Sequence, residues 1–216
     1  MSVLPARRQA LLRRTYTVLA PVYDGLVPYV SSRARALGQR WLNVQDGERV
    51  LDVGTGPGRT LCALAAATPA GWAEGIDCTP AMVRRARRRL AALPHRRHGV
   101  RRADASALPY PDDAFDALFS SYVVDVLPTS KVAPALREMR RVLRPTGRLV
   151  LIYMAPPRRA AEHLWATLGH YCPPLLGGGR PIDLPARLPA HNLAVQAQTV
   201  RTQWGLRSGI LRAHPA

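Results

Sequence analysis

Apolar and polar positions along the chain alternate between two rhythms. Short, largely apolar runs, as expected of buried strands, recur at Val50 to Val53, Trp72 to Asp77, Ala114 to Tyr122 and Arg148 to Tyr153, and Val100 to Ala105 reads as a short third strand closing on an acid. Between them the period lengthens. Val132, Leu136, Met139 and Leu143 fall on one face of a helix that must stop before Pro145 and turn at Thr146-Gly147 into the fifth strand. Near the start, Leu4, Leu11, Leu12, Tyr16 and Leu19 line one side of a projected helix, with Arg7, Arg13 and Arg14 largely outside that stripe. Pro21 ends this helix and begins the next. After Tyr153 the pattern loosens. It predicts a helix from Ala160 to His170, an irregular glycine- and proline-rich loop from Tyr171 to Pro181, a short helical element from Leu184 to Leu188, and paired strands at Leu193 to Val200 and Trp204 to Leu211.

The first strand runs straight into glycines at every second position, Gly54, Gly56 and Gly58, with Asp52 inside the apolar run. A buried strand that must turn sharply into a helix while its backbone approaches a ligand needs glycine for both tasks. The spacing is not the dinucleotide fingerprint, which would place a third glycine where Arg59 stands. About 20 residues on, the second strand ends in Asp77, where a pair of ribose hydroxyls would need an acceptor. Thr79-Pro80-Ala81-Met82 then opens a helix with proline in its first turn.

This ordered set resembles the cofactor site of class I S-adenosylmethionine-dependent methyltransferases. The run Leu136 to Ile152, LREMRRVLRPTGRLVLI, resembles the fifth helix–strand unit of the group that contains the quinone-biosynthesis C-methyltransferases and many small-molecule and lipid methyltransferases. The resemblance is close over roughly residues 15 to 155 and looser beyond. It implies a Rossmann-like α/β fold: seven mostly parallel strands with helices on both faces and the last strand antiparallel. It further implies one domain over residues 1–216, with an N-terminal helical lid to residue 44, a cofactor-binding core over 45–155, and a substrate cap with the final strands over 156–216.

What the resemblance implies for individual residues can be set out in order. Gly54, Gly56 and Gly58, with Thr55, admit the amino-acid portion of S-adenosylmethionine, and Asp52 orders the loop or binds through water. Asp77 holds the ribose, with Cys78 and Met82 beside it, and Asp104 with Ala105 bounds the adenine. Ser120 and Ser121 face the cofactor from the end of the fourth strand, as ligand sites do in open parallel sheets. Tyr16 and Tyr23, on the segment Thr15 to Asp24, close over the cofactor as a lid and exclude water. For a general base the candidates are His170, His163, Tyr23 and Tyr122, and no motif selects among them.

Composition narrows the setting. The chain has 216 residues and three scattered cysteines, Cys62, Cys78 and Cys172, with no metal-like pair, as expected in a reducing cytosol. His95 and His98 stand three apart without further ligands, so no metal is expected. No signal-like segment is visible, and the apolar stretch from Leu61 to Ala67 is far too short to span a bilayer, so a cytoplasmic protein is expected. The formal net charge is +17, and Lys131 is the only lysine. Arginine excess with abundant alanine and proline is what a GC-rich coding sequence produces, and it equally equips the N-terminal helix for peripheral contact with an anionic membrane. Arg84, Arg85, Arg87, Arg88, Arg89, Arg96, Arg97, Arg101 and Arg102 concentrate charge on one side.

Three functions fit these features. The leading one is methyl transfer from S-adenosylmethionine to a small hydrophobic or amphiphilic acceptor, quinone-like or lipid-like. RNA methylation, motivated by charge, is the second. Against it, the fourth strand ends in Ser-Ser-Tyr and not in the clamp associated with exocyclic base amines, and Cys172-Pro173 reverses the order a cytosine-C5 nucleophile would need. The third is a cofactor-binding relative without turnover, since fold alone does not establish chemistry. Nothing in the sequence speaks to oligomeric state.

Overall fold

The computed structural model describes residues 20–158, 179–203 and 205–216, with side chains from Ser31 onward. The predicted helix carrying Tyr16, the side chain of Tyr23, the predicted helix with His163 and His170, the loop as far as residue 178, and Trp204 lie outside the described residues.

Helix α1 (Ala20–Leu42) leads into an alternation of β1 (Arg49–Val53), α2 (Arg59–Ala67), β2 (Trp72–Asp77), α3 (Pro80–Leu90), β3 (His98–Arg102), β4 (Phe115–Ser121), α4 (Thr129–Val142) and β5 (Leu143–Met154). Two 3₁₀ turns, Pro185–Arg187 and Pro189–His191, stand where one short helical element was expected, and they precede β6 (Leu193–Gln203) and β7 (Leu206–Pro215). The strands form one sheet in the order β3-β2-β1-β4-β5-β7-β6. All neighbours pair in parallel as far as β5, and β7 runs antiparallel to both β5 and β6. This is the expected Rossmann-like sheet with a reversed last strand.

Alternation along the strands divides the core. Val50, Ala117, Phe119, Val150 and Ile152 point toward Ala34 and Leu42 of α1. Their sequence neighbours Leu51, Leu118, Leu149 and Leu151 point the other way, into a cluster with Val132, Leu136 and Met139 of α4. Helices α2 and α3 join the α1 side, where Leu61 and Ala65 meet Ala73, Val83, Ala86 and Leu90. Each large side chain so buried contributes about 1.5–3 kcal/mol. Arg148 locks the far end of the sheet: it donates to the carbonyls of Leu42 and Asn43 and pairs with Glu48 at 2.6 Å.

Several boundaries differ from the sequence expectation for local reasons. β4 stops at Ser121 because Tyr122 takes a positive φ of 56°, although its amide still reaches the Ile152 carbonyl at 2.7 Å. β3 ends at Arg102, since Asp104 folds back on Ser106 and bridges to Ala107. β5 begins directly at Leu143, opposite Phe115. The next partners are Ala117 and Arg148, so residues 144–147 bulge out of the ladder.

Candidate active site

The glycine loop sits at the carboxyl end of β1, between β2 and β4. The amides of Gly54 and Thr55 both donate to the Ile76 carbonyl at 2.9 Å, which fixes the turn against β2. A side chain at Gly54 would stand 2.1 Å from Val123 Cγ2, and one at Gly58 would stand 2.8 Å from Ala86 Cβ, so both glycines permit close approach of neighbouring elements. Gly56 is different. Its φ is +55° and, among the described residues, nothing lies within 4 Å of where a Cβ would be, so its backbone is not packed against any of them.

Two carboxylates stand beside that loop. Asp52 is buried, and its Oδ2 accepts the Thr55 hydroxyl at 2.7 Å. Burial, with a lesser push from Asp77, raises its pKa to about 7 against the opposing effects of Thr55 and Arg35. Asp77 accepts the Gly56 amide at 3.0 Å through Oδ2 and the Thr79 amide at 2.7 Å through Oδ1. Burial raises its pKa also, against these bonds. Each carboxylate oxygen has a second lone pair, so Asp77 can hold the loop and still accept ligand hydroxyls.

The neighbouring predicted residues are distributed around this centre. Met82 is buried in the first turn of α3, and the Cys78 side chain is exposed, with its sulfur 3.9 Å from the Thr79 hydroxyl. Asp104, beyond β3, accepts both the amide (3.0 Å) and the hydroxyl (2.7 Å) of Ser106 and pairs with Lys131. Burial pushes the Asp104 pKa up, but these partners outweigh it and bring it down to about 2. Ala105 is buried in the apolar cluster that also holds Ile76 and Leu108.

The end of β4 supplies the opposite wall. Ser120 donates to the Val53 carbonyl at 3.1 Å and so ties β4 to β1. Ser121 accepts Arg35 Nε at 3.2 Å. The Tyr122 hydroxyl lies 2.6 Å from Ser208 Oγ on β7, and the Arg35 guanidinium stands 5.9 Å from the Tyr122 ring centroid.

Two residues here were not singled out from sequence. Arg35 looks like any other arginine in a chain so rich in them; only the fold brings it from α1 to the end of β4. Asp125 carried a readable signal, an acid within the apolar run Tyr122-Val-Val-Asp-Val126, the same signal that marks Asp52. It is buried; its Oδ2 accepts the Met154 amide at 2.9 Å, and its Oδ1 has no hydrogen-bond partner among the described residues. Burial raises its pKa to about 8, opposed by the Met154 amide and Arg180. His95 and His98 meet edge to face with ring centroids 5.5 Å apart, and no metal-holding cluster occurs among the described residues.

A nucleoside joined to an amino acid suits this setting. The Gly56 backbone is not packed against any described residue, Asp77 keeps lone pairs for hydroxyls, and Asp52 and Arg35 offer opposite charges nearby. A seven-stranded sheet with β7 reversed and a glycine loop at the carboxyl end of β1 is the architecture that the sequence resemblance implied. Residues 50–147 match the family described as methyltransferase domain. The chain is 32% identical over 175 residues to a ubiquinone/menaquinone biosynthesis C-methyltransferase of Geobacter sulfurreducens, covering 77% of this chain and 67% of that protein. It is 34% identical over 163 residues to a malonyl-[acyl-carrier protein] O-methyltransferase of Halorhodospira halophila, covering 73% of this chain but about half, 53%, of that protein. The solved YcgJ protein of Bacillus subtilis shares the fold with a TM-score of 0.70 at 20% identity, covering 84% of this chain and 97% of that one. The chain belongs to the class I S-adenosylmethionine-dependent methyltransferases, and S-adenosylmethionine is its cofactor.

Proposed function

We propose that this methyltransferase acts on a small hydrophobic or amphiphilic acceptor of the quinone-precursor or lipid type. The observation that carries the reading is the 32% identity to the Geobacter quinone C-methyltransferase, which extends through the core and over two thirds of that enzyme's length.

S-adenosylmethionine brings a methyl group on a positively charged sulfur, so the protein's contribution is positioning and dryness more than covalent chemistry. Gly54, Thr55, Gly56 and Gly58 would admit the amino-acid portion, Asp77 the ribose, and Asp104 with Ala105 the adenine edge. Cys78, Met82, Ser120 and Ser121 would complete the lining. Tyr16 and Tyr23 would close the site, and His170, Tyr23 or Tyr122 would receive a proton from a hydroxyl or ring-carbon acceptor.

The test is transfer of a labelled methyl group by purified protein to a demethylated quinone, to a lipid extract and to total RNA. Label extracted into organic solvent supports the reading. Label confined to RNA overturns it.

A further inference from the structure

We propose that the groove between α1 and α2 binds an anionic phospholipid, its phosphate held by Arg33, Arg40 and Arg201 and its acyl chain laid on Leu37, Val44 and Leu64. None of the residues assigned above to the cofactor lines this groove, so the inference stands whichever acceptor is methylated.

The helical period builds one wall. Arg33, Leu37 and Arg40 stand four and three residues apart and therefore share a face of α1, and Val44 follows just beyond the helix end. Leu37 and Val44 are partly buried against the core cluster that contains Leu64 of α2, which makes the floor apolar. Along the α2 side the lining includes alanines, whose short side chains do not fill the space. Arg201 enters from β6, where Gln203 donates to Ser32 Oγ of α1 at 3.4 Å. The groove encloses about 930 Å³, within the range of small-molecule sites. From Arg33 to the end of α1 it runs roughly 14 Å at 1.5 Å per residue, longer than a phosphate group alone would need.

Its charge is one-sided. The described lining residues include three arginines and no carboxylate. All three arginines are exposed, and among the described residues none is paired with a carboxylate. Guanidinium groups match phosphate oxygens in two-pronged fashion, and the apolar floor between them takes hydrocarbon out of water. An anionic head joined to a hydrocarbon chain complements both features at once. A single-stranded nucleic acid fits less well, since no aromatic side chain among the described lining residues offers a stacking platform.

The experiment is calorimetric titration of the full-length protein with dihexanoylphosphatidylglycerol below its micellar concentration. Dihexanoylphosphatidylcholine, glycerol phosphate and an RNA oligonucleotide are titrated beside it. Three variants are compared, each checked for fold by circular dichroism. Arg33→Gln/Arg40→Gln removes two charges from the groove, Arg84→Gln/Arg88→Gln removes two exposed charges from α3, and Ala63→Trp fills the groove at an exposed position without altering charge. The groove pair is expected to weaken phosphatidylglycerol by about 30-fold, as for loss of charge-assisted hydrogen bonds, and the α3 pair by no more than about 2-fold. Ala63→Trp loses most of the affinity, and phosphatidylcholine and glycerol phosphate bind far more weakly than phosphatidylglycerol. Equal losses in the two arginine pairs would reduce the effect to net charge and overturn the proposal. Glycerol phosphate binding as tightly as phosphatidylglycerol would make this a phosphate site with no place for a chain. RNA binding lost in the groove pair, with no lipid bound, would assign the groove to nucleic acid, and folded protein that binds none of the four would leave the groove without a ligand of this class; either result overturns the proposal.

Discussion

Asp77 joins two elements with one carboxylate: Oδ2 receives the Gly56 amide at 3.0 Å and Oδ1 the Thr79 amide at 2.7 Å. The residue braces both the glycine loop and the approach to α3. The proposed contact with the ribose would be a further duty, separable from the structural one only by measurement.

Asp77→Ala removes both bonds and is expected to lower stability by about 1–3 kcal/mol. S-adenosylhomocysteine affinity should fall on the order of 100-fold, as for loss of a bidentate acceptor to two hydroxyls. Calorimetry on folded variant, with a denaturant melt beside it, checks both. Unchanged affinity would remove Asp77 from the ribose site.

Gly54→Ala tests the loop's close approach. The native φ of +72° costs an L-residue about 1–2 kcal/mol, and the added methyl would stand 2.1 Å from Val123 Cγ2, which adds the cost of overpacking, about 1–3 kcal/mol. A drop in melting temperature is expected. Combining it with Val123→Ala should recover the packing part and leave the backbone part.

Stability should depend on pH through the buried acids. Asp125 has a folded pKa of about 8 against an ordinary 3.8, so between these values the native state keeps a proton that the unfolded chain has released. Its contribution is whole below about pH 4 and is lost as pH rises through 8. Asp52, at about 7, acts in the same direction. Asp104, at about 2, acts oppositely, and only below about pH 4. Denaturant melts of the ligand-free protein from pH 5 to 8.5 should show falling stability, with each buried acid contributing a slope of at most about 1.4 kcal/mol per pH unit. Asp125→Asn should flatten that slope. An unaltered slope would contradict the assignment.

Strand and helix positions were legible because the sheet is buried on both sides, so β1, β2, β4 and β5 read as apolar runs and α4 keeps its four-residue rhythm. Edges read less well. β3 was placed two residues late because Val100 is its single buried residue and offers no periodicity. The site's acids at strand ends, Asp52 and Asp77, were visible from the motif. Asp125 showed only as an acid within an apolar run, and Arg35 not at all. Asp125 acquires its meaning from the Met154 amide on a neighbouring strand, and Arg35 from a helix folding over Ser121. Neither relation leaves a trace in local spacing.

Tyr122→Phe distinguishes a strap from a base. Its hydroxyl is shared with Ser208 at 2.6 Å across β4 and β7, so the variant should lose about 1 kcal/mol of stability and keep methyl transfer within a few-fold. A loss of about 100-fold in kcat with unchanged KM would instead assign the hydroxyl to proton transfer.

The most direct measurement is calorimetric titration of the purified, folded protein with S-adenosylmethionine and S-adenosylhomocysteine, before any acceptor is added. One site per chain with micromolar affinity for both, reduced by Asp77→Ala, is the predicted result. Absence of binding to either ligand, from protein shown to be folded, would contradict a working cofactor site at the glycine loop.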